Sequence, residues 1–70
     1  MKYKMLDCVR IKVDSTVSVD GHFVMKPIKK GMMGTIMEVY KNGYEVEFVN
    51  KSGRTDALLT LTENEIELIK

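Results

Sequence analysis

The sequence predicts an all-β fold, a small five-stranded barrel whose long first loop forms an extra hairpin. Apolar and polar residues alternate in several short segments, which is the two-residue period of a half-buried strand. Turn-forming residues separate these segments, and no helical pattern lasts long enough for a stable helix. With 70 residues, 44% of them hydrophobic, the chain is expected to form one domain over residues 1–70.

The first predicted strand covers residues 6–13. Val9, Ile11 and Val13 alternate there with more polar neighbours, so these three side chains are expected to face the core. Residues 14–15 are Asp-Ser, a pair that favours turns and ends the strand.

The predicted extra hairpin follows at residues 16–25. Its two β-prone arms flank Asp20-Gly21, a dipeptide typical of the type I′ turn, in which both central residues have positive φ. Pro27 ends the pairing because it has no amide hydrogen to donate.

Two further strands are predicted at residues 35–40 and 44–48, joined by a type I′ turn at Asn42-Gly43. The Gly-Met-Met-Gly sequence at 31–34 is interpreted as the preceding turn, with both glycines as turn residues. The strand at 44–48 has the most regular alternation, which is typical of an antiparallel sheet with one solvated face. Its apolar side is Tyr44, Val46 and Phe48, and its acidic side is Glu45 and Glu47.

The remaining predicted elements are a turn at 50–53, a strand at 54–61 and a short closing strand at 66–69. Thr62 and Glu65 have the spacing of a capping box, but so few residues follow that one helical turn is expected. Five short strands with tight turns favour an SH3-like barrel; an OB-like barrel is the disfavoured alternative, because no helix is predicted between strands. The apolar face of the fourth strand comprises Thr55, Ala57, Leu59 and Leu61.

Residues 28–40 resemble the turn-and-strand signature of SH3-like barrels of the KOW and nitrile-hydratase-β type. The longer run after Gly34 resembles a family of short, uncharacterised bacterial SH3-like proteins. In that family Tyr-Glu-Val-Glu-Phe, here 44–48, is followed by Gly-Arg-Thr, here 53–55, and an apolar strand. The resemblance covers residues 5–13 and 28–69 and departs at 14–27.

This resemblance implies a fold and a bacterial cytosolic setting, but no activity. Small proteins of this sort are associated with toxin-type proteins, as immunity proteins or antitoxins, although no residue of this chain carries that association. The single cysteine excludes an internal disulfide and a cysteine-rich zinc site, which also favours a cytoplasmic location. No apolar run is long enough for a membrane span, and Asp7 and Arg10 interrupt what would be the apolar part of a secretion signal.

Candidate catalytic groups are few. His22 is the only histidine, and Cys8 is predicted on a different strand, so neither has the partners of a metal site or an activated nucleophile. A glycosidase needs two carboxylates that flank a sugar cleft, and Glu38, Glu45 and Glu47 lie across the predicted hairpin at 35–48. A chain this small offers little cleft, so these three side chains are expected to lie on a solvated face of the sheet instead. We therefore expect no enzymatic activity, no metal and no cofactor.

The segment 16–28 is more apolar than a solvated loop requires, so it is predicted either to contact a partner or to cap the barrel. The first expectation is a non-enzymatic module that binds a protein, namely a bacterial toxin that it neutralises, with no membrane partner. Methionine and phenylalanine suit adaptable interfaces of this kind. The predicted contacts are Val19, His22, Phe23 and Met25, with Glu45 and Arg54 as the polar rim.

The alternative expectation is a KOW-like module that binds nucleic acid or the ribosome. The net charge is only +1, which excludes a strongly basic arm. However, residues 1–30 carry seven bases and three acids, whereas residues 31–70 carry four bases and seven acids. Tyr3 and Phe23 are the aromatic side chains expected to be available for base stacking.

Overall fold

The computed structural model describes residues 2–14 and 21–69, and for residues 21–23 it describes the backbone alone. Within these residues the chain forms one antiparallel sheet, so the predicted all-β class is confirmed. The strands are β1 (Cys8–Ile11), β2 (Gly21–Val24), β3 (Met33–Tyr40), β4 (Gly43–Val49), β5 (Thr55–Leu61) and β6 (Ile66–Leu68). A single 3₁₀ turn, Glu63–Glu65, precedes β6.

The order of strands across the sheet is β2-β5-β4-β3-β1-β6. Strands β3, β4 and β5 form a meander, and β1 pairs with both β3 and β6, which joins the two ends of the chain. This order is compatible with an SH3-like barrel. All five predicted barrel strands are present, and β2 is a sixth strand contributed by the long first loop.

Only the second arm of the predicted hairpin is described. It is β2, and it pairs with β5, where Val24 lies opposite Ala57. The backbone amides of Met25 and Lys26 continue this contact by donating to the Asp56 carbonyl, at 2.8 and 3.2 Å. The predicted first arm and the Asp20 position of its turn lie outside the described residues.

Two predictions about glycines are wrong, the type I′ turn at Asn42-Gly43 and the role of Gly34 as a turn residue. The β3–β4 loop consists of Lys41 and Asn42, because Tyr40 already pairs with Gly43, and neither loop residue nor Gly43 has a positive φ. The predicted type I′ turn at Asn42-Gly43 is therefore absent. Gly34 is a strand residue and not a turn residue.

Gly34 is needed because of close packing. A Cβ atom at this position would lie 2.7 Å from Val46 Cγ1 and 2.9 Å from Phe48 Cε2, well inside van der Waals contact. Gly31, in contrast, has φ 95° and does form the predicted turn, in which the Met32 amide donates to the Lys29 carbonyl at 3.1 Å.

The core lies on the inward faces that the alternation predicts. Tyr44, Val46 and Phe48 are all buried, whereas the predicted Thr55 is only partly buried. Tyr3 also belongs to the core: its amide donates to Tyr44 Oη at 3.0 Å, and the two ring centroids are 5.6 Å apart. Tyr3 is thus not available for base stacking, contrary to the expectation. The other buried apolar residues are Val9, Ile11, Ile28, Ile36, Ala57, Leu59, Leu61 and Ile66.

The capping box and the closing strand are confirmed. The Glu65 carboxylate accepts hydrogen bonds from the Thr62 amide at 2.8 Å and from the Thr62 hydroxyl at 3.1 Å. The Lys12 amide donates to the Glu65 carbonyl at 2.7 Å, so the single helical turn ends next to β1, and β6 pairs with β1 directly after it.

Candidate functional site

The β4–β5 turn is organised around the side chain of Asn50. Its Oδ1 accepts hydrogen bonds from the Ser52 amide (2.9 Å), the Ser52 hydroxyl (2.6 Å) and the Arg54 amide (3.2 Å). Gly53 supplies the left-handed conformation that the turn needs, with φ 84°. The turn is therefore held in one shape by side-chain hydrogen bonds within it.

Asn50 also connects this turn to the buried carboxylate of Asp56. Asn50 Nδ2 donates to Asp56 Oδ1 at 2.9 Å, and Asp56 is only 8% exposed. A register shift between Phe48 and Val49 accompanies the burial of Asp56 next to Ala57, which breaks the alternation of β5. Because the Asp56 carbonyl also holds the end of β2, this residue joins the turn, β5 and β2.

Two shallow grooves, of about 340 and 370 Å³, share Asn50 and Asp56. A third groove of about 350 Å³ crosses β1, β3 and β4 and shares Met33 and Val49 with the second. The first groove is lined by Met25, Lys26, Ser52, Arg54 and Thr55. The second is lined by Gly31, Met32, Met33, Phe48, Val49 and Lys51. The third is lined by Cys8, Gly34, Thr35, Glu47 and Ile69 in addition to the two shared residues.

Exposed apolar side chains surround the first two grooves, and we call them the methionine surface. Met25 is 69% exposed, Met33 62%, Val49 50% and Met32 40%. Large apolar side chains are usually buried, so a group of them on one surface is typical of a contact site.

The methionine surface has a positively charged rim. Lys26 and Arg54 line the first groove and Lys51 lines the second, and all three are exposed. Among the charged residues described here, Asp56 is the acid that lines these two grooves, and it is buried against Asn50. Lys29 and Lys30, also exposed, immediately precede the Gly31 turn at the second groove. The surface therefore combines apolar contacts with exposed positive charge.

The family model for a domain of unknown function, DUF4926, matches residues 5–68 of the chain. The chain belongs to the DUF4926 family. The expected small, uncharacterised family is thus confirmed at that level. Neither a curated protein nor a solved structure matches the chain.

The structure brings together only some of the residues predicted to contact a partner of this DUF4926 chain. Met25 and Arg54 line the same groove. His22 and Phe23 lie on β2, where Phe23 pairs with Leu58, but their side chains are not described. Val19 lies outside the described residues.

Glu45 lies at the opposite end of the sheet from Arg54. Its register partner on β5 is Thr60, six residues after Arg54 and so about 20 Å further along the strand, at about 3.3 Å per residue. The Tyr40 hydroxyl donates to Glu45 Oε2 at 3.2 Å, and Glu38 is the register partner of Glu45 on β3. We call Glu38, Tyr40 and Glu45 the acidic face.

The acidic face changes the ionisation of Tyr40. Partial desolvation raises the pKa of the Tyr40 hydroxyl above its ordinary value of 10.0. The negative charge of Glu45, the hydrogen bond to Glu45 and the charge of Glu38 raise this pKa further. These groups favour a neutral, hydrogen-bonded tyrosine.

The other candidates for chemistry are dispersed. Cys8 is exposed beside the third groove, and Glu47 Oε2 accepts a hydrogen bond from the Thr55 hydroxyl at 2.6 Å. Within the described ranges, no three His, Cys, Asp or Glu side chains form a group that could hold a metal ion. In the same part of the chain, no helix is long and apolar enough to cross a bilayer.

Sequence reasoning missed Asn50, Asp56 and the two neighbouring methionines, Met32 and Met33, as parts of one surface. One signal was present: an acidic residue at position 56 directly precedes the apolar Ala-Leu-Leu run of a predicted core strand. An Asn-x-Ser-Gly turn six residues earlier could have supplied its hydrogen-bond donor.

Proposed function

We propose that this DUF4926 chain is a non-enzymatic protein-binding module whose methionine surface holds an acidic segment of its partner. The partner class we propose is a bacterial toxin that the chain neutralises in the cytosol, as an immunity protein or antitoxin does. The single observation that carries the binding proposal is the cluster of exposed methionines within a rim of lysine and arginine.

The apolar part of this surface supports adaptable protein contacts. Met25, Met32 and Met33 have flexible, polarisable side chains that adjust to the shape of an opposing surface. The hydrogen bonds of Asn50 fix the β4–β5 turn, which lines the same two grooves, so the entropic cost of binding at this turn falls mainly on side chains. A rigid frame with adaptable side chains suits a binding surface.

The charge of the rim selects the chemistry of the partner. Lys26, Lys51 and Arg54 are exposed around the grooves, whereas Asp56 is buried between them. Acidic residues that flank apolar side chains on the partner would complement both parts of this surface. A basic partner would meet repulsion from the same rim.

The arrangement of aromatic side chains favours a protein partner over single-stranded nucleic acid. Nucleic-acid surfaces of that type combine positive charge with exposed aromatic rings for stacking. Of the aromatic side chains that the structure describes, Tyr3, Tyr44 and Phe48 are buried and Tyr40 lies on the acidic face. The KOW-like alternative is supported by the exposed cations and by the resemblance of residues 28–40 to the KOW signature.

The toxin class is supported by the resemblance of residues 28–69 to small bacterial SH3-like proteins, some of which are associated with toxins. The shallow, open shape of the grooves suits inhibition by covering a surface rather than by chemistry. Neutralisation predicts a stoichiometric complex and loss of the partner's own activity.

The test begins with a pull-down of the tagged chain from its own cells, with and without nuclease, followed by purification of the protein recovered. We expect an acidic partner that forms a one-to-one complex by itself, and whose activity the chain inhibits. Recovery that disappears after nuclease, or RNA binding that weakens steeply with salt, would instead favour the KOW-like module.

Matched charge reversals then locate the interface on the purified complex. Arg54→Glu on the rim is expected to weaken binding at least about tenfold, the size of a substantial interface contact. Lys41→Glu makes the same change in the β3–β4 loop, at the far end of the sheet, and is expected to leave the affinity unchanged. Equal affinities for both variants would move the interface away from the methionine surface.

A further inference from the structure

The methionines of this chain have an unusual distribution. Every methionine that the structure describes is on the surface, and the described core contains none. Oxidation of methionine to its sulfoxide usually damages a protein by placing a polar group in the core. In this chain, the same oxidation would alter the surface and leave the described core intact. The exposed methionines are Met5, Met25, Met32, Met33 and Met37.

We propose that Met25 and Met33 are oxidation sites, and that their conversion to sulfoxide reversibly weakens partner binding without unfolding the chain. This inference rests on the proposed function of the methionine surface. The oxidant is a peroxide. The thioether sulfur attacks one peroxide oxygen, the O–O bond breaks, and a sulfoxide and water are formed. The sulfur loses two electrons and the peroxide gains them.

Reversal needs a reductant of a different class. A thiol-dependent methionine sulfoxide reductase removes the oxygen, which leaves as water, and its two thiols become a disulfide. The cycle thus restores the thioether. Because the chain stays folded throughout, the restored surface is immediately competent to bind.

Exposure and position single out Met25 and Met33. They are the most exposed of the described methionines, at 69% and 62%. Met25 lines the first groove, and Met33 lines both the second and the third. Met32 is less exposed, at 40%, and its sulfur already accepts the Lys29 amide at 3.3 Å, which makes its lone pair less accessible.

The loss of affinity follows from desolvation. A sulfoxide is a polar acceptor, and burying it against an apolar contact without a donor costs free energy that a thioether does not. Two sulfoxides on one small surface are therefore expected to weaken the complex at least about tenfold. The rim cations remain, so weak, salt-sensitive attraction should persist.

The first experiment uses the free chain. It is titrated with hydrogen peroxide and then treated with dithiothreitol, which reduces a sulfenic acid or a disulfide at the exposed Cys8 but leaves methionine sulfoxides. The same titration of a Cys8→Ser chain removes the contribution of irreversible oxidation at this thiol. Peptide mass spectrometry should show Met25 and Met33 oxidised before Met32 and Met37. The urea midpoint of the fully oxidised chain should match that of the untreated chain, and a collapsed midpoint or a different order of oxidation would overturn the proposal.

The second experiment measures affinity for the purified partner before and after oxidation. For the double variant Met25→Leu/Met33→Leu, the affinity after peroxide is compared with the same variant's affinity before peroxide, and it should not fall, because leucine cannot form a sulfoxide. The control variant Met5→Leu/Met37→Leu should remain peroxide-sensitive, and sulfoxide reductase should restore its binding. A peroxide-sensitive Met25→Leu/Met33→Leu chain would contradict the assignment.

The two proposals fail in different ways. If the untreated chain binds no acidic protein, the proposed function fails and the switch fails with it. If the untreated and oxidised chains bind the partner equally, only the oxidation switch fails.

Discussion

The two hairpin loops of the meander lie at opposite ends of β4 and differ in how they are built. The β4–β5 turn is held by Asn50, whose side chain bonds to the turn backbone and to buried Asp56. The β3–β4 loop has two exposed residues, Lys41 and Asn42, beside the acidic face. The difference indicates that one end of the sheet is fixed to support a surface, whereas the other end only reverses the chain.

The largest expected effect comes from removing the Asn50 side chain. Asn50→Ala deletes the acceptor for the Arg54 amide and leaves buried Asp56 without its amide donor. We expect a loss of about 2–3 kcal/mol in the free energy of unfolding, measured by urea denaturation.

The control for this comparison is Asn42→Ala in the β3–β4 loop. Asn42 is exposed, so the same substitution should change the stability by less than about 0.5 kcal/mol. Similar losses at the two positions would show that the two loops do not differ in the way proposed.

These contrasts show what the sequence alone could predict. The strands could be predicted because the alternation of Tyr44, Val46 and Phe48 depends only on the local two-residue period. The role of Gly34 could not, because it depends on Val46 and Phe48 lying across the sheet from it.

The candidate surface was harder to predict from the sequence than the strands. The methionines follow no strand or helix period, and their exposure is decided by the packing of β2 and β3 around the β4–β5 turn. The predicted contact residue Met25 and the rim residue Arg54 lie in one groove, but Glu45 lies at the other end of β5 from them. Residues on paired strands share an end of the sheet only when the register places them there.

The next effect concerns the backbone of the β4–β5 turn. Gly53 has φ 84°, and a Cβ at this position would meet open space, so Gly53→Ala introduces strain in the backbone and no clash. We expect a loss of about 1–2 kcal/mol in unfolding free energy. Gly53→Asn should cost less, because asparagine tolerates this conformation better, and equal losses would exclude backbone strain as the cause.

A smaller effect of opposite sign is expected on the acidic face. Glu38 and Glu45 are register partners, and like charges placed directly opposite each other are destabilising. Glu38→Gln should therefore stabilise the chain by less than about 1 kcal/mol, and the gain should shrink in high salt. Glu67→Gln is the control, because Glu67 faces Arg10 and its neutralisation should give no gain.

The smallest effect is the pH dependence of the Tyr40–Glu45 hydrogen bond. In the folded state, the pKa of the Tyr40 hydroxyl is raised above 10.0, chiefly by desolvation and then by Glu45. A raised pKa means that the folded state holds the proton more tightly than the unfolded state, so the stabilising contribution is complete below pH 10 and is lost as the pH rises through the folded-state pKa. Ultraviolet titration of the folded chain should show the ionisation of Tyr40, and this transition should disappear in the Tyr40→Phe variant. In the Glu45→Gln variant, the midpoint of the transition should move to lower pH. An unchanged midpoint in Glu45→Gln would mean that Glu45 does not raise the Tyr40 pKa, and that desolvation and the charge of Glu38 are its causes.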